Sequence, residues 1–421
     1  MKYATILLQL LLAVGAVAGE LTFEQAWQRV AKQHPLMAAA NHRLEAARFD
    51  RLQADQRPNP RLLFEAENIY GSGQYQDAGQ IETALIAEQT FERGGKRAAR
   101  RGVSEQKITA QRLIIQRQLR QLRQQVREHF NHLLQTQEQL ALLNGQQGIA
   151  DNNSQVVARL HRAGATTADD LGRTQLQQKS VALQLTRAKQ QLHDASQQLA
   201  ALWGDMFSTE DIVATGPLLF IPERVTTAHV LAQLDSGIDQ KIAQQQVRWQ
   251  QAEVGLEKAN SKVDVTLEAG VRRFSATDEY AFTLGASMPL PVFNNNQSAV
   301  DSAYAHMRAA QNDADYIMRK TSAEVLAALR HWQQADRALA TLEADILPAA
   351  KKVLSATDKA YQRGSNSYLQ VLDAQSSLLQ TQRQRLELRA DAAAAMAIVE
   401  RYITPLNTVP SVANIPQEPT P

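Results

Sequence analysis

Two short stretches of the chain stand two hundred positions apart and match: GATTADDLGRTQ, Gly164–Gln175, and GSNSYLQVLDAQ, Gly364–Gln375. Glycine aligns with glycine, Thr167 with Ser367, Leu171 with Val371 and Gln175 with Gln375. A duplicated chain has to build the same supersecondary unit twice, and this limits the available folds more than composition does. Each half runs through the same order: a helical stretch, a pair of strand-like runs, a very long helical stretch, the glycine turn and a shorter helix. The first repeat spans 19–204, with its strands at about 60–92, and the second spans 230–403, with its strands at about 263–291. Between them, residues 205–229 carry the Pro and Gly breaks of a linker, and residues 404–421 read as an irregular tail.

The helical stretches are long. From Ala98 to Ala163 only NGQQG, Asn144–Gly148, interrupts the pattern, and from Ala299 to Arg363 only Pro348 does. At 1.5 Å per residue each stretch reaches on the order of 100 Å. Ile115, Leu119, Leu122, Val126, His129 and Leu133 step by four and three, a heptad seam. Val181, Leu185, Ala188, Leu192, Ala195, Leu199 and Leu202 repeat it after the first turn, and Leu388, Ala392, Ala395, Val399 and Tyr402 after the second. Alanine alternating with leucine lets such helices approach closely.

The strand-like runs show a period of two. In VDVTLEAGVRRF, Val263, Val265, Leu267, Ala269 and Val271 fall on one face, with Asp264, Thr266, Glu268, Gly270 and Arg272 on the other. Tyr280, Phe282, Leu284, Ala286 and Met288 form the apolar face of the next run. The first-half pair, PRLLFEAENIY and QIETALIAEQTF, alternates less cleanly around a Gly-rich loop, GSGQYQDAG. A run of about 10 residues suffices for a tilted transmembrane β-span. Phe64, Tyr70, Tyr75, Phe91, Phe274, Tyr280, Phe282 and Phe293, eight of the chain's 23 aromatics, gather in these segments, more than twice their share by length. Aromatic girdles sit at such positions in membrane barrels.

Composition removes several alternatives. A formal net charge of +2 supplies no electrostatic footprint for nucleic acid. With no cysteine there is no disulfide, no thiolate metal site and no N-terminal lipidation. Residues 1–18 have Lys2, an apolar run and Ala16-Val17-Ala18, which reads as a secretory signal peptide. Beyond it, no stretch of about 18 apolar residues follows. Phosphate loop, nucleophile elbow and HExxH motifs are missing, and no cofactor is expected, so an enzyme has little support. Four strands cannot span a bilayer alone, because open edges leave unsatisfied N–H and C=O groups in hydrocarbon. Closure takes about eight strands or more, and three copies would supply twelve around one axis. The long helices would then continue the barrel as a helical tube.

The two-repeat plan, the strand pairs and the GSNSYLQVLDAQ turn resemble the TolC-type outer-membrane efflux channels over essentially the whole chain. EQTFERGGKRAAR, Glu88–Arg100, is similar to the CzcC-like, cobalt–zinc–cadmium branch. The resemblance implies a mainly α fold with a small transmembrane β part. It forms a homotrimeric twelve-stranded β-barrel in the outer membrane, continued by a periplasmic α-helical barrel. Function follows as a passive exit duct for divalent heavy-metal cations, with a periplasmic adaptor and an inner-membrane pump of the resistance–nodulation–division (RND) type as partners. The same channel serving multidrug efflux or type I secretion is the nearest alternative. A periplasmic structural coiled coil is the alternative of a different class, and the clean alternation at 263–290 argues against it.

Residue roles follow. Gly364 should be a left-handed helix cap, with Ser367 and Gln370 forming a capping box and Thr167 with Asp170 a close variant. Both repeats then read as tight αα-hairpin tips. By resemblance, Gly164, Thr167, Asp169, Asp170, Gly364 and Ser367 belong to adaptor-docking tips. Asp373 and Tyr361 match aperture residues of the family, and Gln370 stands where the family often has a second Asp. Arg173 occupies the place of Asp373 in the first tip, which suits an outer position. Arg93, Lys96 and Arg97, next to Arg100 and Arg101, either meet phospholipid headgroups or form a solvated basic turn. His129 and His132 are spaced to share a helix face, but with no third ligand suggested they read as packed or lumen-facing histidines rather than a metal site.

Overall fold

The computed structural model describes residues 20–205, 211–218, 226–234 and 237–403. The signal-peptide expectation, the tail and part of the linker lie outside the described residues. The described helices are α1 (Phe23–Gln33), α2 (Pro35–Ala54), α3 (Lys96–Arg162), α4 (Ala168–Ala201), α5 (Thr227–Leu234), α6 (Ile238–Asn260), α7 (Gln297–Thr341), α8 (Leu347–Gln362) and α9 (Tyr368–Ile403). The strands are β1 (Arg61–Glu67), β2 (Glu82–Phe91), β3 (Val265–Phe274) and β4 (Glu279–Ser287). The chain forms two compact units, and each draws on both sequence repeats: one on residues 20–37, 120–230 and 325–403, the other on 38–119 and 231–324.

The second unit holds the sheet. The two expected hairpins are joined by antiparallel β2–β3 pairing into one four-stranded sheet of order β1-β2-β3-β4. Strand β1 is shorter than its sequence run, seven residues, and β2 and β4 stop at Phe91 and Ser287. Directly opposed residues share a face, so the register sorts every side chain. Rows such as Phe64–Leu85–Val271–Phe282 and Leu62–Ala87–Ala269–Leu284 make one face apolar. The opposite face carries Glu65, Glu67, Glu82, Glu88, Glu268 and Glu279, with Arg61 and Arg272.

The polar face is the less exposed one: Ala84 is buried, and Ile86, Glu88 and Thr283 are half-buried. On the apolar side Phe282 and Leu284 are each 88% exposed, far beyond what water tolerates for a contiguous patch. All four helix connections leave one end of the sheet, and the loops 68–81 and 275–278 close the other. At the helix end, Gly94 and Gly95 turn β2 into α3 with φ of 69° and 74°. Gly94 is required twice over, because a Cβ there would meet Lys262 side-chain atoms at 2.5 and 2.6 Å.

The first unit is a helical assembly. Its core gathers Leu21, Phe23, Trp27 and Val30 with Leu122, Val126, Phe130, Leu133, Leu199 and Trp203. Helix α1 starts at a capping box of Thr22 with Gln25. Arg127 lies 3.2 Å from the centroid of Phe23 and pairs with Glu400 at 3.2 Å. The seam expected in α3 is buried except at His129, which is half-buried while Phe130 beside it is buried; in the seams after the turns Leu185, Leu192, Leu202 and Leu388 are half-buried and the other members buried. Each fully buried aliphatic of the seam contributes about 1.5–3 kcal/mol.

The NGQQG interruption is overturned, because α3 runs through it as continuous helix. Gly145 and Gly148 cost helix propensity, but Leu143, Gln146 and Ala150 beside them are buried, and that packing outweighs the local preference. The Pro348 break takes a specific form: a π-helical turn, Leu342–Ile346, sits between α7 and α8.

Candidate functional site

Both repeat tips lie in the helical unit and are built alike. In the first, Gly164 has φ 74°, Ala165 N–H donates to the Leu160 carbonyl at 2.9 Å and Gly164 N–H to that of His161 at 3.0 Å. In the second, Gly364 has φ 76°, Ser365 N–H donates to the Ala360 carbonyl at 3.0 Å and Gly364 N–H to that of Tyr361 at 2.9 Å. These are Schellman-type ends, and glycine is the residue that accepts the left-handed conformation freely.

The caps differ from expectation. Thr167 and Asp170 form the complete capping box: Thr167 Oγ1 accepts from Asp170 N–H at 3.1 Å, and the Asp170 carboxylate accepts from Thr167 N–H at 3.2 Å. Hydrogen bonds from the Thr167 and Thr166 hydroxyls hold the Asp170 carboxyl below its ordinary value. At the second tip Ser367 N–H donates to Gln370 Oε1 at 3.0 Å, while Gln370 N–H turns to the Ser367 carbonyl at 3.2 Å. An amide reaches the cap as a carboxylate does but without its charge, so the second tip is held less firmly. Arg173 does not stay free in the first tip, because Asp169 takes it at 2.9 Å.

The expected aperture residues occupy one hairpin. Asp373 and Gln370 are exposed on the first turns of α9, and Tyr361 packs against Tyr368 with ring centroids 5.2 Å apart and planes tilted by 59°. Sequence reasoning missed what binds this hairpin to the first one. The Tyr368 hydroxyl donates to Asn153 Oδ1 at 2.5 Å, and Asn153 Nδ2 donates to Gln375 Oε1 at 2.7 Å. Asn153 is only 7% exposed. Burial, with Tyr361 and Asp358 nearby, pushes the Tyr368 hydroxyl up to about 12, so it remains a donor at any physiological pH. Two further polar rungs lie along these helices. Arg383 donates to Gln146 and Gln184 at 2.8 and 2.7 Å, and Asp151 accepts from Gln147 and Gln178, both at 2.8 Å. The one signal available in advance was Gln375, which the duplication had aligned with Gln175.

The basic turn is mostly neutralised by its neighbours. Lys96 pairs with Asp264 at 2.8 Å, Arg97 with Asp55 at 3.3 Å, and Arg100 with Glu92. Arg93 anchors its backbone N–H on Asp264 at 3.0 Å and leaves its side chain exposed. Of the histidine pair, His129 is half-buried, and burial lowers its basicity, while His132 is exposed. Among the described residues no group of three His, Cys, Asp or Glu forms a metal-holding cluster.

Comparison with known proteins completes the description. The family described as Outer membrane efflux protein matches residues 26–205 and 239–403. The cobalt-zinc-cadmium resistance protein CzcC of Cupriavidus metallidurans is 28% identical over 388 residues, covering 92% of this chain and 90% of its own. The nickel-cobalt-cadmium resistance protein NccC of Alcaligenes xylosoxydans is 27% identical over 293 residues, covering 69% of this chain and 65% of its own. Among solved structures, the outer membrane protein VceC of Vibrio cholerae superposes with a TM-score of 0.75 at 18% identity, covering 90% of this chain and 95% of its own.

Proposed function

Because the chain belongs to the outer membrane efflux protein family, we propose that it is the outer-membrane exit duct for divalent heavy-metal cations of the cobalt, zinc and cadmium type. In this reading the sheet closes with those of two further copies into a twelve-stranded barrel, which the long helices continue into the periplasm. Strands β1 and β4 each present an unpaired edge, and such edges have no place in hydrocarbon unless a neighbouring copy pairs with them. The apolar face meets lipid and the polar face lines the bore.

The observation that carries the substrate class is the charge of that polar face. It bears six glutamates against two arginines, and one of the arginines, Arg272, is held between Glu67 and Glu82 at 2.7 and 3.0 Å. A bore lined by excess negative charge between low-dielectric walls concentrates cations and repels anions. The carboxylates are spread over the face rather than gathered into a chelating set, which suits passage over retention. Names of relatives point the same way, since CzcC and NccC are resistance proteins for such metals. A duct of this kind works passively, with a periplasmic adaptor at the hairpin tips and an RND pump beyond it supplying the driving force.

Two measurements test the proposal. Light scattering of the detergent-extracted protein should give a trimer, and a monodisperse monomer would end the barrel argument. In planar bilayers under a salt gradient the reversal potential should report cation selectivity, weakened by Glu268→Gln with Glu88→Gln. An anion-selective channel would remove the support for a metal substrate.

A further inference from the structure

The apolar face does not stop where the sheet stops. On β4 its members are the even-numbered Tyr280, Phe282, Leu284 and Ala286, and the alternation continues in sequence through Met288, Leu290 and Val292, beyond the last paired residue, Ser287. Leu290 is 71% exposed, Val292 73%, and Phe293 101%, the most exposed large hydrophobic described. The residues between them are Pro289 and Pro291. Six consecutive apolar residues left in water would be costly and aggregation-prone, so something covers them.

The backbone identifies the cover. Pro289 and Pro291 have no N–H, and Val292 N–H already donates to the Leu290 carbonyl at 2.9 Å. Half of the backbone donors in Met288–Phe293 are therefore absent or satisfied within the segment. A neighbouring strand could not pair with it as with β4, and its remaining N–H and C=O groups still need polar partners, so its place is the interface, where headgroups and water supply them, rather than the hydrocarbon. The polar boundary is equally sharp. Asn294 and Asn295 side chains accept from the N–H groups of Asn296 and Gln297 at 2.9 and 3.1 Å. Asn296 Nδ2 donates to the carbonyl and carboxylate of Glu257 on α6, at 2.9 and 2.8 Å. The segment is thus fixed at both ends, by the sheet and by α6, and the exposed Arg93 stands at the same end of the sheet.

We propose that Met288–Phe293 is a membrane anchor, seated among the phospholipids of the helix-side leaflet at the boundary of headgroups and acyl chains. The occupant is lipid rather than a second copy. The segment continues the lipid-facing surface, is depleted of the donors an interchain strand needs, and lies at the end of the sheet that also carries an exposed arginine suited to phosphate. Phe293 occupies the interfacial position favoured by aromatic side chains. The anchor fixes the depth of a chain that has no cysteine to carry an acyl group. This inference rests on the barrel reading above, and its test separates the two.

The natural lack of cysteine lets single labels be placed in the full chain without background. Val292→Cys and Phe293→Cys, with Leu284→Cys as the lipid-face reference and Thr283→Cys as the polar-face reference, would each be spin-labelled and reconstituted in phosphatidylethanolamine–phosphatidylglycerol vesicles. Collision with oxygen and with a water-soluble nickel chelate is then compared. The labels at 292 and 293 should favour oxygen over nickel, to a smaller degree than the label at 284, while 283 favours nickel. Nickel accessibility at 292 and 293 equal to that at 283 would mean water and overturn the anchor. Immobile labels shielded from both reagents would mean protein cover and overturn it equally. Nickel access at 284 would instead defeat the barrel reading. Leu290→Cys serves as an independent site if either variant is poorly recovered.

Discussion

Removing one hydroxyl should loosen the second hairpin tip. Tyr368→Phe deletes the donor to Asn153 Oδ1, which accepts at 2.5 Å within a residue that is only 7% exposed. The ring and its contact with Tyr361 stay in place, so the change is confined to the hydrogen bond. Leaving a buried acceptor unsatisfied costs about 1–3 kcal/mol. For local opening of the tip, that is roughly a 5- to 150-fold shift in the equilibrium. Amide exchange of residues 365–375 should speed up by that factor, while exchange in the Phe23–Trp27 core does not change. Tyr361→Phe is the control. It keeps the ring contact, and no hydrogen bond from its hydroxyl contributes to the lock, so exchange should stay close to wild type. The lock should also be insensitive to pH across the physiological range. A hydroxyl whose value rises from 10.0 to about 12 contributes stability that is complete below 10.0 and is lost as pH rises through about 12. Unchanged exchange in Tyr368→Phe, or equal acceleration in both variants, would refute the assignment of Tyr368, Asn153 and Gln375 as the bond between the hairpins.

Further outcomes follow from the same geometry. Asp373→Ala should raise single-channel conductance or leak in bilayers, because three copies of this exposed carboxylate would crowd the axis of a trimer; identical conductance would remove it from the aperture. Gly94→Ala should lower the unfolding midpoint of the extracted protein. The left-handed conformation alone costs roughly 1–2 kcal/mol, and the new Cβ meets Lys262 at 2.5 Å. Gly95→Ala, where nothing lies within 4 Å, should cost less, and equal losses would contradict the steric account. The Asp170 carboxyl is held below its ordinary 3.8, so its contribution to the first tip is present above that pH and lost as pH falls through the lower, folded value. Pepsin cleavage at the first tip should therefore rise steeply in strong acid in the wild type and change little with pH in Asp170→Asn.

Much of the architecture was legible because it is periodic. The heptads at 115–133 report which face is covered, and burial followed them, while the period of two at 263–288 sorted the two faces of the sheet, the apolar one lying exposed in the single chain. The duplication located both tips, and their glycines adopt the left-handed conformation that the sequence demanded. What escaped was long-range. No local pattern announces that β2 of the first repeat pairs with β3 of the second, because either hairpin satisfies its own alternation without the other. NGQQG read as a break because propensity is local, whereas burial of Gln146 and its bond from Arg383 are tertiary. The tip lock joins residues 215 positions apart, and neither a tyrosine nor an asparagine carries a spacing signature. At the caps, sequence ranked serine with glutamine above threonine with aspartate; the shorter, charged aspartate makes the full reciprocal box.

The proposed role as an outer-membrane duct for divalent heavy-metal cations has a consequence for the whole cell. Deleting the gene from its host and scoring growth on Co²⁺, Zn²⁺ and Cd²⁺ tests it most directly. Sensitisation to at least one of these ions is expected, rescued by the wild-type gene and rescued less well by Glu268→Gln with Glu88→Gln. Unaltered tolerance to all three, or full rescue by a chain lacking the sheet residues 265–287, would contradict it.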